Sequence, residues 1–309
     1  MAYQTGTFTD FTNLQSIIHS FATANGWTLT AGVLSKGGTA VKITVPDALA
    51  LQLDFSDAHD GLGSLIDPSP RTFFMLDHYG GPTENSSGLD MIFPVTYHFF
   101  EFGASNEIVI VINYNTEYIQ QMSFGEIHKY GTWGGGVYGH ATTQTRTSYI
   151  REYNPEHMAG YASNTSYKPT PTVWDQASRY YTPYPNLGIK CDIDGLEWIY
   201  NAKIYNENAT YKYPVGQLGF YPASLSLPYV WKVNQGNLQP AFITPMVLMQ
   251  RPDNLLSVIG AAVNFRHVNI SNYATGEILT IGGVKWMVFP SHVRTYTMHV
   301  GFAVRYEGP

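Results

Sequence analysis

Apolar residues follow a helical spacing in one segment near the N-terminus. The positions that carry this spacing are Phe11, Leu14, Ile17, Ile18 and Phe21. Thr9 and Asp10 precede the segment and can cap its free amides, and the pair 25–26 (Asn-Gly) supplies a left-handed stop. The pattern predicts one amphipathic helix.

Most of the remaining chain has the pattern of β-strands. Short runs rich in Val, Ile, Thr and aromatic residues alternate with turn clusters, at 40–45, 49–55, 72–76, 96–102, 107–114, 278–281, 285–289 and 296–306. This regular spacing predicts a mostly β protein, with a sandwich or jelly-roll-like sheet system and a single N-terminal helix. The first and last thirds are expected to share one sheet system.

Two of these runs carry finer predictions. In 107–114 (EIVIVINY) the Ile and Val residues make both faces apolar, so this strand is expected at the centre of the sandwich, and Gly103 and Asn106 mark the hairpin before it. The pair 282–283 (Gly-Gly) predicts a hairpin between two apolar strands. One buried face is expected to comprise Trp286, Val288, Val300, Phe302 and Val304.

Between about 124 and 240 the composition changes to closely spaced Gly, Pro, Tyr, Asn and Thr. The many aromatic residues argue against a solvated linker, so we interpret this stretch as an ordered, loop-rich insertion that contacts neighbours. The predicted organisation is 1–123, an N-terminal helix and the first part of the β domain; 124–240, the insertion; and 241–309, the strands that complete the domain.

Composition changes the picture at the surface. Charged residues make up 13% of the chain and aromatic residues 15%, and the formal net charge is −6. The cores of protein interfaces show the same depletion of charge and enrichment of aromatic residues. A monomer with a surface of Thr, Ser, Asn and Gly is the alternative. No run of Lys or Arg predicts nucleic-acid binding, no segment predicts a membrane span or targeting peptide, and the single cysteine, Cys191, excludes an internal disulfide.

Candidate chemistry is sparse. The sequence lacks the nucleophile elbow, the zinc-protease motif, the phosphate-binding loop and the dinucleotide fingerprint. Two acidic segments suggest a metal, namely Asp54, Asp57, His59 and Asp60, and then Asp192, Asp194 and Glu197. Each is interpreted instead as a loop or turn, and Gly134, Gly135 and Gly136 as a flexible or tight loop. His98 and His299 are interpreted as packed or surface histidines. No catalytic, cofactor or metal site is predicted.

Carbohydrate contact is the main alternative to packing. Aromatic rings that stack on sugars are supplied by Tyr161, Tyr167, Trp174, Tyr180, Tyr181 and Tyr184. Paired carboxylates suited to glycan hydrolysis are offered by Asp192 with Asp194 and by Glu152 with Glu156.

Three stretches resemble structural proteins of tailed bacteriophages, found around the tail and baseplate. They are the N-terminal helix followed by 25–27 (NGW); the series 94–100 (PVTYHFF), 107–114, Tyr118 and 124–127 (FGEI); and 276–290 (GEILTIGGVKWMVFP) followed by 294–295 (RT) and 303–305 (AVR). The second stretch implies a hairpin followed by a short helix-like segment and a glycine turn. The resemblance covers about half of the chain, mainly its ends.

The resemblance implies a subunit of the virion, assembled in the host cytoplasm, that contacts other virion proteins and copies of itself. We therefore expect a non-enzymatic structural protein of the tail tip, baseplate or neck, without a cofactor. A receptor-recognition protein that binds a host-surface glycan, and a capsid-surface or decoration protein, remain as alternatives.

Overall fold

The computed structural model describes residues 1–79, 89–114, 118–141, 187–201, 217–221, 242–252, 255–270, 272–290 and 300–308. Over these ranges the chain forms one α-helix, α1 (Phe11–Ala24), two short 3-10 turns (Gly103–Ser105 and Ile193–Gly195) and 25 strands. The prediction of a mostly β chain with one N-terminal helix is therefore confirmed.

In the first half of the chain the strands are β1 (Ala2–Phe8), β2 (Thr28–Thr30), β3 (Val33–Lys36), β4 (Thr39–Asp47), β5 (Ala50–Ser56), β6 (Ala58–His59), β7 (Leu65–Ile66), β8 (Phe73–Leu76), β9 (His78–Tyr79), β10 (Leu89–Asp90), β11 (Val95–Phe102), β12 (Glu107–Tyr114), β13 (Tyr118–Glu126), β14 (His128–Lys129) and β15 (Gly135–Ala141). In the second half they are β16 (Leu187–Cys191), β17 (Trp198–Asn201), β18 (Gln217–Tyr221), β19 (Phe242–Ile243), β20 (Met246–Gln250), β21 (Leu256–Ala261), β22 (Phe265–Asn269), β23 (Ile278–Ile281), β24 (Val284–Pro290) and β25 (Val300–Tyr306).

The helix begins and ends where the sequence predicts. The Asp10 carboxylate accepts a hydrogen bond from the Asn13 amide (2.7 Å), which caps the first turn, and Gly26 has a φ of 83° just beyond the last turn. The residues of the apolar stripe are buried, apart from the partly buried Ile17. They join the first core cluster of the protein.

Three sheets account for most of the strands. An eleven-stranded sheet has the order β1-β11-β12-β13-β15-β16-β17-β18-β20-β21-β14. A five-stranded N-terminal sheet has the order β2-β3-β4-β5-β8, and a five-stranded C-terminal sheet has the order β19-β22-β25-β24-β23. The neighbouring strands pair antiparallel, except that β17 and β18 are parallel. Strands of the first and last thirds meet in the large sheet, whereas β22–β25 form a sheet of their own.

Strand β12 shows how the layers pack. Its residues Ile108, Ile110 and Ile112 join the core that holds α1 and the N-terminal sheet. Val109 and Val111 point to the other side and join the core that holds the C-terminal sheet. Both faces of the strand are thus buried, as predicted, and the large sheet is sandwiched between two cores.

The predicted helix-like segment near Tyr118 is wrong, because these residues form β13. The apolar residues of this strand are interrupted by two buried glutamines, Gln120 and Gln121, which obscures the strand pattern in the sequence. Gly125 is needed for close packing, since a Cβ there would lie 2.5 Å from the Glu107 Cα atom.

Part of the central segment, which the sequence predicts to be a loop-rich insertion, lies within the described residues. Residues 124–141, 187–201 and 217–221 contribute strands β14 to β18 and the end of β13, all in the large sheet. Gly139 and Gly188 appear loop-like in the sequence, but they make room for the Phe55 ring, which a Cβ at Gly139 would approach to 2.3 Å. The rest of 124–240 lies outside the described residues.

The closing hairpin confirms one prediction and corrects another. Gly282 and Gly283 have φ values of 60° and 79° and form the two-residue loop between β23 and β24. The prediction that Trp286 and Val288 share a face with Phe302 and Val304 is wrong: Val288 pairs with Ala303, whereas Met287 and Phe289 pair with Val304 and Phe302. Both faces of β24 are buried, so the alternation of residues in the sequence did not show which side chains share a face.

Candidate functional site: exposed apolar surfaces and a buried carboxyl

The acidic cluster of the N-terminal sheet is divided among separate contacts. The Asp54 carboxylate accepts hydrogen bonds from Gln52 Nε2 and Thr72 Oγ1, both at 2.6 Å. Asp57 lies 3.0 Å from Lys190 Nζ, an ion pair that links the sheet to β16. Asp54 thus links β5 to the residue before β8, and Asp57 links the N-terminal sheet to the large sheet.

The other two members of that cluster shape the turn between β6 and β7. Asp60 Oδ1 accepts hydrogen bonds from the amides of Leu62 (2.7 Å) and Ser64 (2.9 Å). These backbone hydrogen bonds lower the pKa of Asp60, and the one from Ser64 is the largest cause. His59 Nδ1 accepts from the Gly61 amide at 3.2 Å. Across the described ranges, no group of three or more His, Cys, Asp or Glu side chains is arranged to hold a metal.

The second acidic segment forms the predicted turn before β17. Asp192 Oδ1 accepts a hydrogen bond from the Gly134 amide (2.8 Å), and Asp194 forms an ion pair with Arg251 through both carboxylate oxygens. The two carboxylates hold different parts of the chain. Glu152 and Glu156, the second candidate pair, lie outside the described residues.

The glycine triplet opens a strand. β15 begins at Gly135, where φ is 90° and a Cβ would lie 2.4 Å from the Lys190 carbonyl oxygen, and the register shifts between Gly135 and Tyr138. Because a strand follows the triplet, it lacks the helix N-terminus that makes such a loop a phosphate cradle.

His98 is packed between the large sheet and the C-terminal sheet. Its Nδ1 lies 2.8 Å from the Tyr3 hydroxyl, and its ring centroid lies 5.3 Å from that of Phe289 on β24. Burial lowers the pKa of His98 to about 4. The interpretation of His98 as a packed histidine is supported, while His299 and the aromatic tract from Tyr161 to Tyr184 lie outside the described residues.

A buried carboxyl joins the same two layers and was not identified from the sequence. Glu107, 4% exposed at the start of β12, accepts hydrogen bonds from the Tyr138 hydroxyl, from Asn264 Nδ2 (2.6 Å) and from Ser105 Oγ (3.1 Å). The pKa of the Glu107 carboxyl is raised, and burial is the largest cause. The only signal in the sequence is one acid before five apolar residues.

Ser105 and Asn264 also line a surface groove of about 420 Å³. Its rim carries both signs of charge, with Lys129 and Arg305 beside Glu126 and Glu307. These groups are engaged with one another or with nearby chain: Arg305 pairs with Glu307, and Lys129 donates to the Trp133 and Gly135 carbonyls. The groove therefore shows no excess of one charge that would select a ligand.

Exposed apolar side chains are the more distinctive feature of the surface. Large hydrophobic residues that remain exposed are Leu29, Leu62, Ile66, Ile92, Tyr130, Leu255, Val258, Val263, Ile278 and Ile281. Only Tyr130 among them is aromatic. The expected aromatic-rich surface is thus an aliphatic one in the part of the chain that the structure describes, where most aromatic rings belong to the cores.

Two turns bring part of this set together, which we call the turn surface (Leu29, Leu62 and Ile66). A Cβ at Gly63 would lie 2.9 Å from the Ala31 carbonyl oxygen, so the turn after β2 touches the turn after β6. Leu62, beside Gly63, is 85% exposed. These side chains are aliphatic and are held by tight turns, with the Asp60 carboxylate beside Leu62, and such an arrangement suits a contact with another chain.

A second group, the seam surface (Tyr130, Leu255, Val258 and Val263), follows β21. β14 pairs with this strand, and the Tyr130 amide continues the pairing by donating to the Ile259 carbonyl oxygen at 2.8 Å. β14 follows β13 almost directly in the chain. Its pairing with β21 therefore brings the last strand of the series β13-β15-β16-β17-β18-β20-β21 next to the segment that follows the first. The third group, Ile278 and Ile281, lies on β23 at the end of the C-terminal sheet.

The chain matches no family model, and a search of curated proteins found no significant match. Within the described ranges, no helix has the length and hydrophobicity needed to cross a membrane.

Proposed function

We propose that this protein is a non-enzymatic structural subunit of a tailed-phage particle, at the tail tip, baseplate or neck, and that it works by packing against other subunits. The observation that carries the packing role is the set of aliphatic side chains exposed on tight turns and on a sheet edge. Covering the exposed part of these side chains with a partner contributes about 25 cal/mol per Å² of apolar area removed from water.

Composition supports the same proposal. Charged residues make up only 13% of the chain, so a partner can cover much of the surface without desolvating ionic groups. The phage assignment rests on the resemblance of the two ends of the chain, and the proposed neighbours are other virion proteins and copies of this chain.

The experiment is complementation of a phage that lacks the gene. Wild-type protein supplied in trans should be found by mass spectrometry in purified particles, and cryo-electron microscopy should place it at the tail. The double variant Leu29→Ser and Leu62→Ser should keep its melting temperature but enter particles at least about tenfold less well. Ser20→Ala, on the exposed face of α1, serves as the control and should assemble normally.

Absence of the wild-type protein from purified particles would overturn the proposal. A monomeric protein that binds or cleaves host polysaccharide would replace it with the receptor-recognition alternative. Location on the capsid surface would replace it with a decoration role.

A further inference from the structure

Strand β23 is an open edge of the C-terminal sheet. It is the last strand in the order β19-β22-β25-β24-β23, and in the described part of the chain it pairs only with β24. Two of its four residues are aliphatic and exposed, Ile278 by 42% and Ile281 by 37%. An edge of this kind presents a row of backbone groups that another strand can pair with.

The hairpin geometry identifies which backbone groups are free to pair. In a hairpin with a two-residue loop, the pair that flanks the loop exchanges both hydrogen bonds, and here that pair is Ile281 with Val284. Ile281 and Leu279 therefore direct their amides and carbonyls toward β24. Ile278 and Thr280 direct theirs outward, away from the sheet.

The edge lacks the protections that sheets commonly carry. Residues 278–283 (ILTIGG) contain no charge and no proline, and the pairing of β23 with β24 continues without a bulge. The end strand β8 of the N-terminal sheet is covered instead: Gln120 donates to the Leu76 carbonyl oxygen (2.7 Å) and accepts from the Leu76 amide (3.1 Å). Within the described residues, the outer edge of β23 has no comparable cover.

We propose that β23 pairs antiparallel with β23 of a second copy of this chain, about a two-fold axis at Thr280. The two C-terminal sheets then become one continuous sheet. This inference rests on the proposed function, since it names one of the partners of the assembling subunit.

The sequence of the edge is compatible with a second copy and favours one register. A two-fold axis perpendicular to a sheet can only place residues of the same face opposite each other. Centred on Thr280, the pairing sets Leu279 opposite Ile281 of the second copy and leaves Glu277 outside the paired strands. Centred on Leu279, it would set the Glu277 side chain against Ile281. The first register sets Leu279 against Ile281 and Ile278 against Gly282, and it buries no charge.

The size of the contact sets its strength. A strand pair of this length buries far less than the roughly 1,200–2,000 Å² of a stable interface. Two copies are therefore expected to associate weakly in dilute solution and to stay paired where other contacts hold them side by side. A covalent trap is the suitable measurement because it records a weakly populated pair.

The trap uses a cysteine at the proposed axis. Because Thr280 directs its amide and carbonyl outward, the two Thr280 residues form a hydrogen-bonded pair, whose Cα atoms lie about 5.5 Å apart, within the roughly 4.4–6.8 Å that a disulfide spans. We expect Thr280→Cys, in a Cys191→Ser background, to form a covalent dimer under mild oxidation. The control is Ser20→Cys, on the exposed face of α1, which should give at least about tenfold less dimer.

A second variant tests whether the strand pairing brings the cysteines together. Ile278→Lys added to Thr280→Cys should remove the covalent dimer, because each copy then places a lysine beside the pairing. Equal yields for Thr280→Cys and Ser20→Cys, or a dimer that persists with Ile278→Lys, would overturn the inference. Protein found in particles without the Thr280 cross-link refutes the pairing alone, whereas a cross-link without incorporation refutes the phage role alone.

Discussion

The N-terminal and C-terminal sheets each contain five strands, but they end in different ways. The end strand β8 of the N-terminal sheet receives the Gln120 side chain on its backbone, and α1 packs against β4 and β5. The end strand β23 of the C-terminal sheet has no such cover within the described residues, and two of its isoleucines are exposed. The end strand β8 is thus covered within the chain, whereas we propose that the end strand β23 pairs with a second copy of the chain.

The largest effect is expected where the N-terminal sheet enters the large sheet. Phe55 is fully buried, stacks on Phe73 and fills the space left by Gly139 and Gly188. Phe55→Ala should lower the free energy of unfolding by about 3–5 kcal/mol through lost burial and a cavity. Urea denaturation measures this, with Leu29→Ala on the exposed edge β2 as the control. Equal losses in both variants would refute a closed core at Phe55.

A smaller loss is expected from opening the covered edge. Gln120→Leu leaves the Leu76 amide and carbonyl buried without their partner, at a cost of about 2–4 kcal/mol. The Leu76 amide should also exchange its hydrogen faster, which hydrogen-exchange mass spectrometry detects. An unchanged exchange rate would show that the Gln120 side chain does not protect β8.

Acid should weaken the attachment of the C-terminal sheet. Burial lowers the pKa of His98 to about 4 in the folded chain, from 6.5 when unfolded. The folded chain therefore favours neutral His98. The free energy of unfolding keeps its full value above pH 6.5 and falls by up to about 3 kcal/mol as the pH decreases toward 4. His98→Gln should lose less stability over this range. Burial also lowers the pKa of His19, so the difference between the two proteins isolates His98.

The smallest effect is expected at the open edge. Ile278→Lys should change the free energy of unfolding by less than about 0.5 kcal/mol, because the side chain is exposed and its backbone bonds to no described strand on the outer side. Thermal melting at low protein concentration measures it. A loss as large as that of Gln120→Leu would mean that β23 is already covered within one chain.

The sequence predicted the elements whose signals are local. Helix α1, the β12 strand and the Gly282–Gly283 hairpin each depend on neighbours along the chain, through caps, apolar runs and positive φ values. Strand β13 was missed because Gln120 appears misplaced in a buried strand until its partner Leu76 is known. The meaning of Gly139 likewise depends on Phe55, which lies far away in the sequence.

The candidate surfaces were harder to predict than the fold. Low charge predicts that partners cover part of the surface, but the exposure of Leu62 or Ile278 depends on how turns and sheet edges meet. Glu107 was missed for a similar reason: its partners Tyr138 and Asn264 lie 31 and 157 residues away. Spacing along the chain carries no signal for such contacts.

Glu107 also has a consequence for how β12 finds its place during folding. The run from Ile108 to Ile112 is apolar on both faces, so a strand that slipped by one or two residues would still bury aliphatic side chains. Slippage that moves Glu107 further into the core would separate its carboxyl from Tyr138 and Asn264 and leave it buried without hydrogen-bond donors. The acid at the start of the strand therefore penalises registers that move it further into the core, a selection that the isoleucines and valines alone do not provide.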